Sequence, residues 1–253
     1  MAQKRKKIIC FGMAVTDVYS GPFRRDLMDR RFSPFSDLYV TVGGDALNCS
    51  SNFAKMGCDT RIIACVGRDA LGRSVRRIVE ESGVDTTYLL QPEGAHTSMT
   101  HLFHGPEKLP YYVLMLGANK EISYEMVTDD MLEGYDHLYY ASINALEKME
   151  GHGVAMLLKQ AKRLGLSTSM DIKGTGGKFE YLEEALDYCD VFIPNHDEIT
   201  DVTGLTDLQD IKRFFSRYPL KVLGVKRGAE GSFLTDFKQD LHLGTLFTGT
   251  PVD

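Results

Sequence analysis

Short apolar runs alternate along this chain with longer segments whose apolar residues return every three or four positions. Lys7-Ile8-Ile9-Cys10-Phe11-Gly12 and Arg61-Ile62-Ile63-Ala64-Cys65-Val66 have the unbroken apolar character of strands covered on both faces. Between them, Gly43-Gly44 precedes a helix that is predicted to start at Asp45 as its N-cap, to run to about Met56 and to stop at Gly57. Leu71 to Ser82 is amphipathic at helical spacing, with Val75, Ile78 and Val79 inward and Arg73, Arg76, Arg77 and Glu80 outward. Ser20 to Asp37 reads as a loop. Leu38 to Val42, Thr97 to His104 and Tyr111 to Met115 have strand character, and the turn at Gly105-Pro106 to Pro110 makes the last two a hairpin. These three segments are expected to form a small sheet outside the main one, a lid.

The alternation returns in the second half. Strands are predicted at His137 to Ala141, Ser167 to Asp171, Val191 to Pro194 and Lys221 to Lys226, with helices near Gly151 to Leu164, Glu180 to Leu186, Glu198 to Val202 and Leu208 to Phe215. Ser232 to Thr235 and Asp240 to Leu246 close the chain as a β-meander. Strands separated by helices of this length imply right-handed crossovers, hence an α/β fold with a parallel sheet covered on both faces.

Composition adds limits. At 253 residues, 43% hydrophobic and 25% charged, residues 1–253 suffice for one large α/β domain. A formal charge of -6 argues against a nucleic-acid partner, which demands clustered Lys and Arg; Lys4-Arg5-Lys6-Lys7 reads as a solvated lead-in to the first strand. Cys10, Cys49, Cys58, Cys65 and Cys189 are odd in number and lack C-x-x-C spacing, so neither a disulfide framework nor a zinc site is indicated. With no apolar stretch of membrane-spanning length and no signal-type segment, a cytoplasmic protein without a membrane partner is expected.

In an open parallel sheet, ligands sit beyond the carboxyl ends of the strands. Asp17, Gly43-Gly44, Asp171, Lys173 and Asn195 fall there. Paired glycines before a helix serve either a turn or a close backbone approach to a ligand beside unpaired N–H donors. Asn195-x-x-Glu198 taken by itself fits a helix capping box. Lys226-Arg227-Gly228-Ala229-Glu230-Gly231 follows a strand and turns through two glycines into another, as a hairpin does. Gly174-Thr175-Gly176-Gly177-Lys178 fails the P-loop spacing, and Phe179 stands where a metal-binding hydroxyl is required. No G-x-G-x-x-G follows the first strand, which weakens a dinucleotide-dependent oxidoreductase reading. His96, His101 and His104 lack a carboxylate partner at metal-ligand spacing and are read as surface or lid-packing residues.

Gly43-Gly44-Asp45-Ala46-Leu47-Asn48, Gly67-Arg68-Asp69-Ala70-Leu71-Gly72, Asn195-His196-Asp197-Glu198 and the Lys226 to Gly231 loop together resemble the ribokinase-like (PfkB) carbohydrate kinases over nearly the whole chain. The resemblance implies a three-layer, doubly wound, mostly parallel sheet with lid strands from about 13–42 and 96–118, and ATP-dependent phosphorylation of a hydroxyl on a sugar or sugar-like molecule. It assigns Asp17, Gly43, Gly44 and Asn48 to the sugar, and Asn195, Lys226, Gly228 and Gly231 to the nucleotide. Glu198, with Asn195, is assigned to Mg2+, and Asp253 to a monovalent cation such as K+. In the family a Val-Asp like Val252-Asp253 continues into Gly-Ala-Gly-Asp, so no catalytic base is assigned here: it is expected beyond Asp253, so that residues 1–253 are expected to belong to an active kinase if they are a fragment of a longer product and to lack turnover if they are the complete one. A non-catalytic sugar- or nucleotide-binding protein of the same fold is the alternative. Asp45 stands where ribokinases often carry Lys, and Asp171-Ile172-Lys173-Gly174-Thr175 keeps only the Asp of an Asp-x-Asn-x-Arg run, so the acceptor is left open. Exposed lid edges suggest a homodimer.

Overall fold

The computed structural model describes residues 5–22, 36–104, 111–173, 176–245 and 249. It comprises two compact units, Met1–Ile122 and Ser123–Asp253.

In the first unit, β1 (Lys7–Gly12) pairs in parallel with β4 (Asp59–Cys65), Cys10 opposite Ile62, and β4 pairs in parallel with β5 (Val84–Asp85) and β6 (Leu89–Leu90). Ile9, Phe11, Ile62, Ile63 and Ala64 are fully buried, which is why these strands lack polar alternation. Helix α1 (Asp45–Lys55) packs on β1 and β4, and α2 (Ala70–Glu81) presents Val75 and Val79 to the core. Two expectations need correction. Gly44, not Asp45, is the N-cap of α1, because its φ of 98 turns the chain in a way that disfavours a side chain; Asp45 occupies the first helical turn. Arg76 does not point freely outward, since its guanidinium donates to the carbonyls of Thr86 and Leu89 at 2.8 and 2.9 Å and ties down the β5–β6 connection.

A separate four-stranded sheet has the order β3 (Asp37–Gly43), β2 (Val15–Gly21), β7 (Met99–Phe103), β8 (Tyr111–Met115). The hairpin of β7 and β8 and the strand β3 match the sequence reading; the turn at 105–110 lies outside the described residues. Strand β2 falls within the span 13–42 that the resemblance gave to lid strands, although the residue pattern itself marked only Leu38 to Val42 as a strand there. Asp17 therefore lies within a strand rather than in a loop after β1, because Val15, Thr16, Val18 and Tyr19 favour an extended chain and pair antiparallel with β3 and parallel with β7. His101 bonds to Ser20 Oγ at 2.8 Å and stacks on Phe103, while His104 stacks near Tyr19, so these histidines pack the small sheet.

In the second unit, β9 (His137–Ile143), β10 (Ser167–Ile172), β11 (Val191–Phe192) and β12 (Val222–Lys226) are parallel neighbours in chain order, and β13 (Ser232–Thr235) and β14 (Asp240–Leu243) continue antiparallel. The short α3 (Asp129–Leu132) precedes β9. Between the strands run α4 (His152–Arg163), α5 (Glu180–Leu186), α6 (His196–Thr203) and α7 (Leu208–Phe215). Leu157, Leu158, Phe192, Phe215 and Leu223 are fully buried. The molecule is thus α/β, with mostly parallel strands and a separate small sheet. Among the described residues no helix is long and apolar enough to cross a membrane.

Candidate active site

In the first unit the candidate sugar-side residues converge. The β2–β3 register sets Val15 opposite Gly43 and Asp17 opposite Thr41, and the Asp17 carboxylate leans over Gly43 so closely that a Cβ there would collide with its Oδ2. At Gly44 a Cβ would come within 2.5 Å of the Met13 carbonyl oxygen. The glycine pair therefore lets β3 pass under a carboxylate and against the β1–β2 turn before α1 begins. Asn48 is exposed on the first turn of that helix. The sequence reading missed the residue that holds this corner. Buried Asn119 donates from Nδ2 to the Ala14 carbonyl at 3.0 Å and to Ser98 Oγ at 2.7 Å, and accepts from the Ala14 N–H. A lone Asn between Ala118 and Lys120 carries no signal of so distant a partner.

The Gly67 to Gly72 motif has a structural role nearby. Asp69 caps α2 through the Gly72 N–H at 2.8 Å and accepts from both the N–H and the hydroxyl of Thr97, at 2.8 and 2.6 Å. Burial raises its pKa, but these hydrogen bonds outweigh that and hold it below the usual value. A Cβ on Gly72 would strike the Gly67 carbonyl. The motif locks α2 to the segment leading into β7.

In the second unit the candidate nucleotide-side residues gather at the carboxyl ends of β10, β11 and β12. Asn195 caps α6: its side chain accepts from the Glu198 N–H at 2.8 Å, and Glu198 Oε2 accepts from the Asn195 N–H at 3.0 Å. The capping box expected as one of two readings is formed, and it leaves Glu198 buried at the helix start. Lys226 ends β12, its N–H donating to the Pro194 carbonyl at 3.0 Å, and its ammonium pairs with Asp171 at the end of β10. Burial pushes the Asp171 carboxyl up to about 6 against the pull of Lys226, with the Glu198 charge adding to the rise. Asp171 was singled out by its place at the end of a strand and as the Asp of a family run; its pairing with Lys226, across 55 residues of chain, had no sequence signal.

A cavity of about 570 Å³ opens here, lined by Asn195, His196, Asp197, Lys226, Arg227, Gly228 and Glu230. Arg227 forms an ion pair with Glu230. Gly228 has a φ of 54 with open space beside it, whereas a Cβ on Gly231 would collide with the Leu243 carbonyl. Gly228 thus faces the cavity, while Gly231 serves the packing of the loop on β14. Asp253 lies outside the described residues, as do residues 174 and 175. The described residues hold no cluster of three or more His, Cys, Asp or Glu side chains arranged around a metal. Asp171 is paired with Lys226, and Glu198 and Asn195 are engaged with each other's backbone N–H groups in the capping box.

Paired glycines beneath a carboxylate in one unit, and a capped helix start beside a cavity in the other, are set in an α/β molecule of mostly parallel strands. The model for pfkB family carbohydrate kinases matches residues 5–253, and the chain belongs to that family. It is similar to a 5-dehydro-2-deoxygluconokinase of Geobacillus kaustophilus, 24% identical over 81% of this chain and 66% of the relative, and to a ribokinase of Haemophilus influenzae, 24% identical over 78% and 64%. The chain spans roughly two thirds or less of the lengths of these relatives. Among solved structures, it matches an Arabidopsis thaliana ribokinase in complex with ribose and ATP with a TM-score of 0.83, 18% identity, and coverage of 99% of this chain and 81% of that one. A fructokinase from Xylella fastidiosa matches with a TM-score of 0.80 and 17% identity over 96% and 77%. These likenesses establish the ribokinase-like fold.

Proposed function

We propose that this protein takes part in ATP-dependent phosphorylation of a hydroxyl on a sugar or sugar-like molecule. The observation that carries the reading is the approach of the Asp17 carboxylate to Gly43 at the start of α1. An ionised carboxylate accepts hydrogen bonds from vicinal hydroxyls, Gly43 leaves room for that carboxylate above the backbone, and the Asn48 amide is one turn away for a further hydroxyl. The relatives' own substrates, ribose and a deoxygluconate derivative by their names, are polyols of this kind.

On the nucleotide side, Asn195, Lys226 and Gly228 are assigned to the phosphates of ATP, with the Lys226 ammonium as the charge partner and Gly228 as a backbone without side-chain obstruction. Glu198 and Asn195 would hold Mg2+, which neutralises charge on the phosphates when bound. Five free cysteines suit a reducing compartment, and we assign the protein to the cytoplasm. The outward face of the small sheet carries exposed Leu38, Val40, Val113 and Met115, an apolar surface suited to a second copy of the same face.

Calorimetric titration with a sugar panel and with ATP, run beside a kinase assay on the same protein, tests the assignment. Asp17→Asn is expected to weaken sugar binding roughly 10- to 100-fold, the cost of a charge-assisted hydrogen bond, with ATP binding unchanged. Equal sugar affinity in wild type and variant would refute the assignment of Asp17. Binding of both ligands without phosphoryl transfer would identify a binding protein of the same fold.

A further inference from the structure

Met13 and Ala14 lie between β1 and β2, in neither strand, and both are buried. Backbone groups this deep need hydrogen-bond partners. For Ala14 they come from one side chain: Asn119 Nδ2 donates to its carbonyl at 3.0 Å, and Asn119 Oδ1 accepts its N–H at 3.4 Å. The amide stands where a neighbouring strand would, presenting a donor and an acceptor side by side. It is anchored in turn. Ser98 Oγ accepts from Asn119 Nδ2 at 2.7 Å and donates to the Leu116 carbonyl. The turn before Asn119 lies so close to the segment leading into β7 that a Cβ on Gly117 would come within 2.4 Å of the His96 carbonyl oxygen.

Both halves of the sugar-side corner hang from this turn. On one side the Thr16 N–H donates to the Ser98 carbonyl at 2.9 Å, and Asp17 follows at once. On the other, the Met13 carbonyl sits against Gly44 and accepts from the Leu47 N–H at 3.4 Å, one residue before Asn48. We propose that Asn119 is a positioning residue of the sugar site: by pairing with both backbone groups of Ala14 it fixes the angle at which β2 leaves β1, and with it the place of the Asp17 carboxylate relative to Gly43 and Asn48. At 1% exposure it acts through the turn and not by contact with a ligand. This deepens the kinase reading and rests on it.

The test compares Asn119→Ala and Ser98→Ala with Val79→Ala, a cut into the fully buried face of α2, all in the full chain and checked for folding by circular dichroism. Hydrogen exchange without ligand reads the clamp. In Asn119→Ala the Thr16 and Leu47 amides are expected to exchange about 10-fold faster or more, relative to the Ile62 and Ile63 amides of β4; in Val79→Ala that ratio stays as in wild type. Calorimetric titration with a panel of aldoses and ketoses, and separately with ATP, reads the site. Asn119→Ala is expected to bind the panel sugar that wild type binds roughly 10-fold more weakly, about the worth of one hydrogen bond out of place, with ATP affinity unchanged. Ser98→Ala removes an anchor but leaves the amide on Ala14, and loses less. Should Asn119→Ala fail to fold, Asn119→Asp, which keeps the acceptor and loses the donor, is read in the same way. Wild-type exchange at Thr16 and Leu47, wild-type sugar affinity in the folded Asn119 variant, sugar and ATP affinity falling together, or an equal sugar loss in Val79→Ala would overturn the proposal. A wild type that binds no panel sugar, with the exchange result as expected, would instead strike the kinase reading and the positioning role that depends on it.

Discussion

Asp190 shows how much a single side chain can carry once the chain has folded. It is 5% exposed yet accepts from Lys162 Nζ with both oxygens at 2.8 Å, from Lys221 at 2.9 Å and from the Thr168 N–H at 2.9 Å. Burial alone would raise its pKa, but the two lysines and the backbone donor outweigh it and bring it down to about 2. A carboxyl whose pKa is depressed in the folded state stabilises that state fully above its unfolded value near 4 and loses the contribution as pH falls toward 2. Asp190→Asn is therefore expected to lower unfolding stability by about 2 kcal/mol at pH 6, the lysines' own solvent exposure limiting the loss. In urea titrations the gap between variant and wild type should close as pH drops from 4 to 2; a gap independent of pH would contradict the assignment. The residue-scale features of the candidate site were unevenly legible. Gly43, Gly44, Asn195 and Glu198 announce themselves by spacing, while Asn119 and the partner of Asp171 do not, because their contacts join distant parts of the chain.

At the level of elements, periodicity served well wherever one face of a segment is buried. Helices α5 and α7 and strand β13 have the predicted limits, since burial of one stripe or one face imposes its period on the sequence. Strand β2 left no periodic signal of its own for the opposite reason: it mixes Asp17 and Ser20 with β-branched residues, and only the family resemblance put lid strands over that span. The Gly67 to Gly72 motif is an element-scale device, since Asp69 both caps α2 and holds Thr97. Asp69→Ala is expected to cost about 2–3 kcal/mol in chemical denaturation, from the lost cap and the unsatisfied Thr97 N–H. Thr97→Val, which removes only the hydroxyl contacts with Asp69 and Gly67, should cost less. An Asp69→Ala variant as stable as wild type would show that α2 needs no cap.

For the whole molecule, the open question of assembly turns on the small sheet. Strand alternation puts Leu38, Val40, Val113 and Met115 on the face opposite Asp17, and all four are exposed. If two copies bury this face, Val40→Glu with Val113→Lys should shift the protein from dimer to monomer in light scattering while leaving its fold intact by circular dichroism. A wild-type protein that is monomeric at all accessible concentrations would end the dimer proposal.

The longer strands and helices, the α/β class and the family were written in the local pattern of the chain, because buried faces impose periods and tight turns impose glycines at short range. Tertiary structure alone decided that Asp17 rises on a strand to lie over Gly43, that Asn119 clamps the β1–β2 turn, and that Lys226 reaches Asp171 across the end of an intervening strand. Each of these depends on strand register and on residues brought together from far apart in the chain, and neither leaves a period in the sequence.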